Sequence, residues 1–495
     1  MSAQQVEHVE VLVIGAGISG IAAAHQLLTQ RPGTSFTILE GGSASGGTWD
    51  LFRYPGIRSD SDLHTYGYEF KPWTDSKAIA GADRILAYLR ETATEYGIDR
   101  HIRYRHRVLD AAWSSEESRW TVTVERTDTG EEIVLTAGWL FAATGYYDYA
   151  QGYTPHFEGR DHYRGTIVHP QQWPEDLDYT GKSVVVIGSG ATAVTLVPTM
   201  AEGGARHVTM LQRTPTYIMR VPAEDRLANL LPKILGAKLG YAATRRKNIV
   251  RQRLTYTFFR HYPKAARKLI RAMNARALPK GFDVDTHFNP PYDPWDQRLC
   301  VVPDGDLFRT ISEGRASVVT DRIRTFTENG VLLESGEELT ADVVVTATGL
   351  NVRFFGGIAV SVDGKPLNPS DHVAYKGTML SGVPNLTFVI GYNSASWTLR
   401  VGLIVEHFRR LLGHMHEHGH NVCVPVAPEM ETRPLLDLAS GYVQRSGNQL
   451  PRQGSEFPWR MPKDHIDDAR LVLGAPVVNE QLHFSSVRPR DRVSA

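Results

Sequence analysis

The chain has 495 residues, of which 42% are hydrophobic and 22% charged, as in ordinary soluble proteins, and this length suffices for roughly two to four domains. Neither a long apolar run nor a charged leader with an apolar block occurs, so we expect no transmembrane helix and no secretory signal. The formal net charge is +0, and we expect no nucleic-acid partner. Two cysteines, Cys300 and Cys423, exclude a disulfide framework, a C-x-x-C redox pair and a Cys-rich zinc site. We therefore expect a cytoplasmic protein without a metal site.

The first predicted elements form a strand–turn–helix unit. VEVLVIG predicts a buried strand, and GAGISGIAAAHQLL predicts a helix that begins with small residues. The turn between them carries Gly15, Gly17 and Gly20 in the pattern G-x-G-x-x-G. These glycines allow a tight turn, a close approach to a pyrophosphate and close helix–strand packing. The amide groups near Ser19, at the start of the helix, favour a phosphate. The unit is predicted to bind a dinucleotide.

The next strand, FTILE, ends at Glu40, twenty residues after Gly20. A carboxylate at the end of this second strand accepts hydrogen bonds from ribose hydroxyls. The first unit therefore favours a nucleotide with a free ribose, as FAD presents.

The strand–turn–helix–strand pattern recurs at 183–213, where the turn carries Gly188, Gly190 and Ala193. At the position comparable to Glu40, this second unit has Arg213. A guanidinium can form a bidentate pair with a 2′-phosphate, so this unit favours NADP.

Two dinucleotide units in one chain imply hydride transfer between nicotinamide and flavin, with the flavin carrying the difficult chemistry. Because the chain has no C-x-x-C pair, disulfide reduction is excluded and dioxygen is the natural acceptor.

The charge is unevenly distributed, because residues 226–280 contain fifteen Lys and Arg and no acidic residue. Two interpretations stay open. The block is either a face for anionic membrane lipids, giving peripheral membrane association, or a solvated helical insertion that shields a cofactor.

Residues 163–174 read YRGTIVHPQQWP and connect the two dinucleotide units. The pattern Y-x-G-x-x-x-H-x-x-x-W-P resembles the fingerprint of type I Baeyer–Villiger monooxygenases, in which the first position is usually Phe. The related heteroatom-oxidising flavin monooxygenases resemble it as far as His169 but commonly carry Tyr or Phe in place of Trp173. We expect His169 to be a hydrogen-bonded hinge residue and not a catalytic one.

The resemblance extends over nearly the whole chain, and the stretches 46–62, 168–198, 289–308 and 347–351 look like the ethionamide-activating branch of that family. It implies a monooxygenase that uses FAD, NADPH and dioxygen. Such an enzyme converts ketones to esters or lactones through a C4a-peroxyflavin and also oxidises sulfides. Two alternatives stay open: a flavin monooxygenase that oxidises only sulfur or nitrogen, and a flavin-binding redox sensor with negligible turnover.

The resemblance also implies the binding residues. Those that would contact FAD are Ser19, Glu40, Gly47, Thr48, Trp49, Asp60 and Val108. Those that would face the nicotinamide are Arg58, Ser59 and Asp60. Those that would hold the NADP phosphates are Ser189, Gly190, Ala191, Thr192, Ala193, Arg213 and Thr214.

Two residues are implied as catalytic. Arg298 would place a fixed positive charge beside the reactive flavin carbon, because a peroxide anion and an oxyanion both need one in a dry site. Asp60 would hold Arg298. The alternatives are that Arg298 pairs with nearby Asp296 and that Asp60 caps a loop. Many family members have lysine where this chain has Gln297, so strict NADPH preference is less certain.

The predicted fold is α/β, with two doubly wound, Rossmann-like domains and a basic helical insertion. The FAD domain comprises 1–150 and 340–495, and the NADP domain comprises 151–222 and 291–339. The insertion comprises 223–290.

Overall fold

The structure, a computed structural model, describes residues 6–392, 395–436, 440–447, 449–462 and 464–487. It is built around two β-sheets, and each sheet takes its strands from separate stretches of the chain. The mixed α/β architecture agrees with the predicted fold class.

The first sheet begins with Glu7–Ile14, which is parallel to Phe36–Leu39 on one side and to Glu132–Ala142 on the other. In spatial order its strands are Lys365–Pro366, Ala359–Val362, His106–Ser114, Arg119–Arg126, Glu132–Ala142, Glu7–Ile14, Phe36–Leu39 and Ile102–Arg103, and Leu386–Phe388 also pairs with Glu132–Ala142. Because side chains alternate along a strand, Val11 and Val13 enter one hydrophobic core while Leu12 and Ile14 enter another. Both faces of this sheet are therefore buried.

The second sheet is parallel throughout. Its strands, in spatial order, are Ala316–Thr320, His207–Gln212, Ser183–Ile187, Val343–Thr346 and Thr166–Val168. Val184 and Val186 enter one core, and Val185 and Ile187 enter a second. Such near-continuous apolar strands are typical of a parallel sheet covered on both faces.

Helices join and cover these strands. Those of the two dinucleotide units are Ile18–Gln30 and Ala191–Glu202. The others are Thr48–Leu51, Leu63–Tyr66, Ala82–Glu95, Arg226–Leu235, Ala237–His261, Pro263–Ala277, Val284–Phe288, Asp306–Ser312, Trp397–His418, Gly441–Arg445 and His465–Asp468.

Short strands complete the fold. Ile218–Val221 and Cys300–Pro303 pair in parallel and bracket the helices between 226 and 288. The remaining short strands are Tyr147–Gly152, Ile323–Phe326, Gly330–Leu333, Glu338–Thr340, Leu350–Val352, Ala374–Tyr375, Met379–Leu380, Val422–Pro425, Arg433–Pro434, Arg452–Gln453 and Leu482–Ser485.

One predicted boundary differs from the strand pairing. Val343–Thr346 pairs with Ser183–Ile187 and lies in the second sheet, although the predicted FAD domain begins again at 340. The chain therefore returns to the first sheet only after this strand. The sequence does not predict this pairing, because VVVT is apolar like the strands of both sheets and its composition does not reveal which sheet it joins. The division into domains otherwise stays a prediction.

Candidate functional site

A single cleft of about 1410 Å³ joins the carboxyl ends of the two sheets. In parallel α/β sheets, ligands bind at this edge, because the loops that follow the strands converge there. Of the predicted site residues, all but Gly20 and Ala193 line the cleft: Gly15, Gly17, Ser19, Glu40, Gly47, Thr48, Trp49, Arg58, Ser59, Asp60, Val108, Gly188, Ser189, Gly190, Ala191, Thr192, Arg213, Thr214 and Arg298. Their individual roles stay predictions, but the structure brings them to one place.

The two exceptions lie behind the turns. A Cβ atom added to Gly20 would lie 1.9 Å from the carbonyl oxygen of Gly15, and Ala193 has no exposed surface. Both are positions where the helix packs closely on its strand, which is the role assigned to the third small residue of each pattern.

The glycines of the first turn are dictated by backbone contacts. Gly15 has φ +104°, and a Cβ there would lie 2.7 Å from the carbonyl oxygen of Ala143 on the neighbouring strand. A Cβ added to Gly17 would meet the Cα atom of Gly47 at 3.5 Å. The turn therefore presents bare backbone to the cleft, as a pyrophosphate requires.

Glu40 closes the first turn from the other side. Its two carboxylate oxygens accept hydrogen bonds from the backbone N–H groups of Ala16 and Gly42, each at 2.8 Å. Burial raises the pKa of this carboxyl, and the two N–H donors oppose that rise. Its remaining lone pairs face the cleft, where ribose hydroxyls could donate to them.

The second turn is more open. Gly188 has φ +134°, and a Cβ there would lie 2.3 Å from the carbonyl oxygen of Ala347, whereas a Cβ on Gly190 would meet no atom within 4 Å. Ser189 Oγ is 2.8 Å from Thr216 Oγ1 in the loop that also carries Arg213. Arg213 is exposed at the rim of the cleft. The open space at Gly190 and the nearby guanidinium fit a phosphorylated nucleotide.

Arg298 and Asp60 form a bidentate ion pair in the cleft. The guanidinium Nε and Nη2 atoms donate to the Asp60 carboxylate at 3.0, 2.9 and 2.7 Å. Asp296 instead pairs with Arg260 at 2.7 Å. The carboxylate that caps the helix Leu63–Tyr66 is Asp62 and not Asp60. The described contacts therefore show Arg298 paired with Asp60, while the catalytic roles of both residues stay predictions.

The loop that carries Asp60 is held from several sides. Arg58 forms an ion pair with Asp306, and Ser59 Oγ donates to the backbone oxygen of Ser61 at 2.9 Å. The Nη2 atom of Arg58 is buried without a hydrogen-bond partner in the described residues, although Arg58 lines the cleft. A buried donor of this kind in a cleft wall fits an anionic or carbonyl-bearing ligand.

A second cavity of about 710 Å³ adjoins the first and shares Asp60 and Arg298 with it. Its other walls include Gln252, Thr255 and Phe259 of the long insertion helix. The ion pair thus lies where a nucleotide cleft meets a separate chamber. Sequence reasoning missed this chamber, because its lining comes from loops and helices far apart in the chain.

The stretch at 163–174 stays outside the cleft. His169 Nε2 lies 3.2 Å from the carbonyl oxygen of Gly349, and its Nδ1 accepts from the backbone N–H of Gln171 at 3.2 Å. Burial lowers the pKa of His169, so the ring stays neutral and structural. Trp173 packs against a core of the second sheet.

Two further cleft residues had weak or no sequence signals. The buried Tyr54 lines the cleft, and burial raises the pKa of its phenol to about 12. Arg322 follows the strand Ala316–Thr320, which lies beside the strand that ends before Arg213. Strand adjacency, visible only in the fold, brings these two arginines to one edge.

Both cysteines are buried free thiols. Within the described ranges, no group of His, Cys, Asp and Glu is placed to hold a metal ion. No helix in the part of the chain that the structure describes is both long and apolar enough to span a membrane.

Comparison with known proteins identifies the family. A model described as flavin-binding monooxygenase-like matches residues 69–362. A second, described as an NAD(P)-binding Rossmann-like domain, matches residues 13–75. The second model falls on the unit with Glu40, which suits any dinucleotide with a free ribose. The predicted pair of a flavin and a nicotinamide dinucleotide is thus confirmed, while the models do not decide which unit holds which.

Full-length relatives agree. The chain is 49% identical to the FAD-containing monooxygenase EthA of Mycobacterium tuberculosis, covering 97% of this chain and 98% of the relative. It is 45% identical to the probable FAD-binding monooxygenase AlmA of Acinetobacter baylyi, covering 97% and 96%.

Solved structures with the same fold include an oxidised steroid monooxygenase bound to NADP, with a TM-score of 0.69 at 25% identity over 85% of this chain and 88% of that one. An open crystal structure of cyclohexanone monooxygenase gives a TM-score of 0.77 at 22% identity, covers 97% of this chain and 100% of the other, and establishes the fold alone. The sequence resemblance is confirmed: the chain belongs to the flavin-binding monooxygenase family, in the branch that EthA represents, and is a flavin- and NAD(P)-dependent monooxygenase.

Proposed function

We propose that this protein is a Baeyer–Villiger monooxygenase that inserts oxygen into ketones and also oxidises sulfides. The observation that carries the proposal is the bidentate pair of Arg298 and Asp60 at the junction of the nucleotide cleft and the second cavity. A cation fixed there faces both the nucleotide cleft, where the flavin would deliver oxygen, and the second cavity, where a small substrate can lie.

FAD is the flavin and NADPH the reductant in this proposal. Glu40 and the turn at Gly15 and Gly17 would hold the adenosine and pyrophosphate of FAD. Arg213 and the turn at Gly188 and Gly190 would hold NADP. The backbone contacts of Gly15 and Gly188, which leave no room for a Cβ atom, the ordered carboxylate of Glu40 and the open space at Gly190 fit both groups. Bound reduced flavin supplies activated dioxygen.

NADPH preference needs cations at the 2′-phosphate, and Gln297 supplies none. Arg322 compensates in this proposal, because it reaches the same edge of the second sheet as Arg213. Neither arginine forms an ion pair within the described ranges. The intervening Asp321 accepts from the backbone N–H groups of Arg322 and Ser335, so its carboxylate is already engaged.

Arg298 stabilises negative charge on the oxygen that attacks and on the oxygen of the tetrahedral adduct. A guanidinium stays protonated and is weakly hydrated, so it keeps its charge when cofactor and substrate cover it. Asp60 fixes the plane of the guanidinium and leaves part of it directed at the cleft. Loss of one such donor typically costs about 3 kcal/mol, or about a hundredfold in rate.

The second candidate is a flavin monooxygenase that oxidises only sulfur or nitrogen. Such chemistry needs an electrophilic oxygen and no attack on a carbonyl by an anionic oxygen, so Arg298 would be dispensable. Trp173, in place of the Tyr or Phe common in those enzymes, favours the ketone reaction.

One measurement separates these candidates. Holoenzyme is incubated with NADPH, isotopically labelled dioxygen, a methyl ketone and a thioether, and products are identified by mass spectrometry. A labelled ester supports the proposal. Labelled sulfoxide without any ester, across a panel of ketones, establishes the second candidate. NADPH consumption that no substrate accelerates would leave only the redox sensor.

The proposal also includes location and contact partners. We place the protein in the cytoplasm, with peripheral contact to anionic lipid through residues 226–280, which contain fifteen Lys and Arg and no acidic residue. Because such attraction is screened, lipid binding is expected to weaken as salt rises. Binding that is insensitive to salt would contradict the electrostatic part of this contact.

A further inference from the structure

The three helices Arg226–Leu235, Ala237–His261 and Pro263–Ala277, called here the insertion helices, expose an unusual amount of apolar surface. Ten of the sixteen large apolar side chains that are exposed in the described residues lie between 227 and 269. Ile234 is 66% exposed and Leu254 is 64% exposed, although neither contributes to a core. Exposed apolar side chains concentrated in one place mark an interaction surface.

These side chains share one face of the long helix. Leu239, Val250, Leu254 and Phe258 are spaced by eleven, four and four residues, which places them in one stripe along a helix of 3.6 residues per turn. The ring of Tyr262 continues the stripe, with its centroid 5.8 Å from that of Phe258. The stripe is long and narrow, unlike a pocket for a small ligand.

Cations flank the stripe. Among the described residues, Lys233, Lys238, Arg246, Lys264 and Lys268 form no ion pair with an acidic side chain. Other basic residues of the insertion helices are neutralised from outside, as Lys247 is by Asp225 and Arg271 by Asp285. The net charge around the stripe stays positive, because the insertion helices contain no acid of their own.

The neighbouring face of the same helix forms a wall of the second cavity. Gln252, Thr255 and Phe259 line that cavity, and Arg251 lies at the border between the cavity face and the stripe. Leu227 both lines the cavity and is 48% exposed. The wall of the cavity and the apolar stripe therefore lie on adjoining faces of the same helix.

We infer that the insertion helices dock on an anionic lipid bilayer and that the second cavity takes apolar substrates directly from it. Apolar side chains inserted among lipid headgroups, with lysine and arginine at the rim, are the pattern of interfacial helices. A second copy of the chain fits less well, because a symmetric contact would bring two acid-free, positively charged surfaces together. The docking deepens the lipid contact of the proposed function, and the identity of the substrate reaction rests on its Baeyer–Villiger part.

The test uses full-length holoenzyme and vesicles of phosphatidylcholine with or without phosphatidylglycerol. Flotation measures binding without turnover. Turnover is measured on a short, water-soluble homologue and a long, vesicle-dissolved homologue of whichever substrate class is oxygenated. The variant is I234Q/L254Q, since both side chains are exposed and their loss leaves the fold intact. The matched control is V134Q, which alters an exposed apolar side chain on the first sheet.

We expect wild type and V134Q to bind anionic vesicles, and I234Q/L254Q to bind roughly a hundredfold more weakly, at about tenfold for each apolar side chain. Turnover of the vesicle-dissolved homologue should fall with binding, while turnover of the soluble homologue stays unchanged. Equal binding of variant and wild type, no binding by wild type, or self-association that the variant abolishes would overturn the docking. Unchanged turnover of the dissolved homologue would overturn delivery from the bilayer.

Failure of the proposed function is distinguishable from both results. If no ketone is converted but flotation and thioether turnover follow the expected pattern, the docking inference stands and the Baeyer–Villiger proposal falls.

Discussion

The two dinucleotide units have the same backbone plan and end in opposite charges. Each has a strand, a turn whose first glycine leaves no room for a Cβ atom, and a helix that begins at the cleft. In one, the carboxylate of Glu40 is fixed by two backbone donors, whereas in the other the guanidinium of Arg213 projects into solvent at the rim.

This difference indicates which residues select between one dinucleotide and another. The glycines set the shape that any dinucleotide needs, so they cannot distinguish one from another. In the proposed assignment, the residue at the end of the second strand would distinguish them, by accepting from ribose or by attracting a phosphate. The ion pair of Arg298 and Asp60 belongs to neither turn and lies between the units, so its removal tests whether the two cooperate at one centre.

The largest effect is expected for R298A. We expect ester formation to fall about a hundredfold, because an oxyanion in a dry site loses its cation. The measurement is the rate of product formation by mass spectrometry, alongside NADPH consumption. R309A removes an exposed arginine that pairs with Glu202 on the surface and is the matched control. A full rate of ester formation in R298A would show that the reaction does not need this cation between the two units.

The next effect is expected for E40Q. A neutral amide accepts ribose hydrogen bonds less strongly than a carboxylate, so FAD affinity should fall by roughly thirtyfold. Equilibrium dialysis of FAD against the refolded or deflavinated enzyme measures it. E10Q alters an exposed glutamate at the other end of the first unit and should have no effect. Unchanged FAD affinity would contradict the assignment of FAD to the unit with Glu40. A selective loss of NADPH affinity would assign NADPH to that unit instead.

A smaller change is expected for R213A, which removes one charge-assisted contact. The KM for NADPH should rise about tenfold while that for NADH changes little. R206A, at the amino end of the same strand and far from the cleft, is the control. If the KM values for NADH and NADPH rise together, the arginine positions the loop and does not read the 2′-phosphate.

The smallest effect is expected for R322A. An exposed cation at the rim contributes about twofold to fivefold to NADPH affinity, and high salt should reduce the difference from wild type. Steady-state kinetics at two salt concentrations would measure it. An R213A/R322A variant that is no weaker than R213A would remove Arg322 from the phosphate site.

The sequence predicts the fold class and the turns that line the cleft, but it does not predict which distant segments meet. Short-range patterns specify the glycine turns, Glu40 and the basic helices, because each depends on a few neighbouring residues. The partner of the strand Val343–Thr346 depends on the whole second sheet, and four apolar residues carry no information about it.

Long-range contacts explain the other differences. The pair of Arg298 and Asp60 bridges 238 positions, so only the family resemblance, and not the spacing of charges along the chain, could predict it. The second cavity and the proximity of Arg322 to Arg213 likewise arise only when distant segments meet.

The burial of Cys300 has a consequence for the lifetime of the enzyme. Its thiol lies in the cleft wall two residues after Arg298, and burial raises its pKa to about 12. At pH 8 only about one such thiol in ten thousand is a thiolate, the form that oxidants attack. We expect Cys300 to remain unmodified in peptide maps after prolonged NADPH oxidation without substrate. An enzyme that generates an oxidant at every turnover would then carry this cleft sulfur in a form that resists self-inactivation.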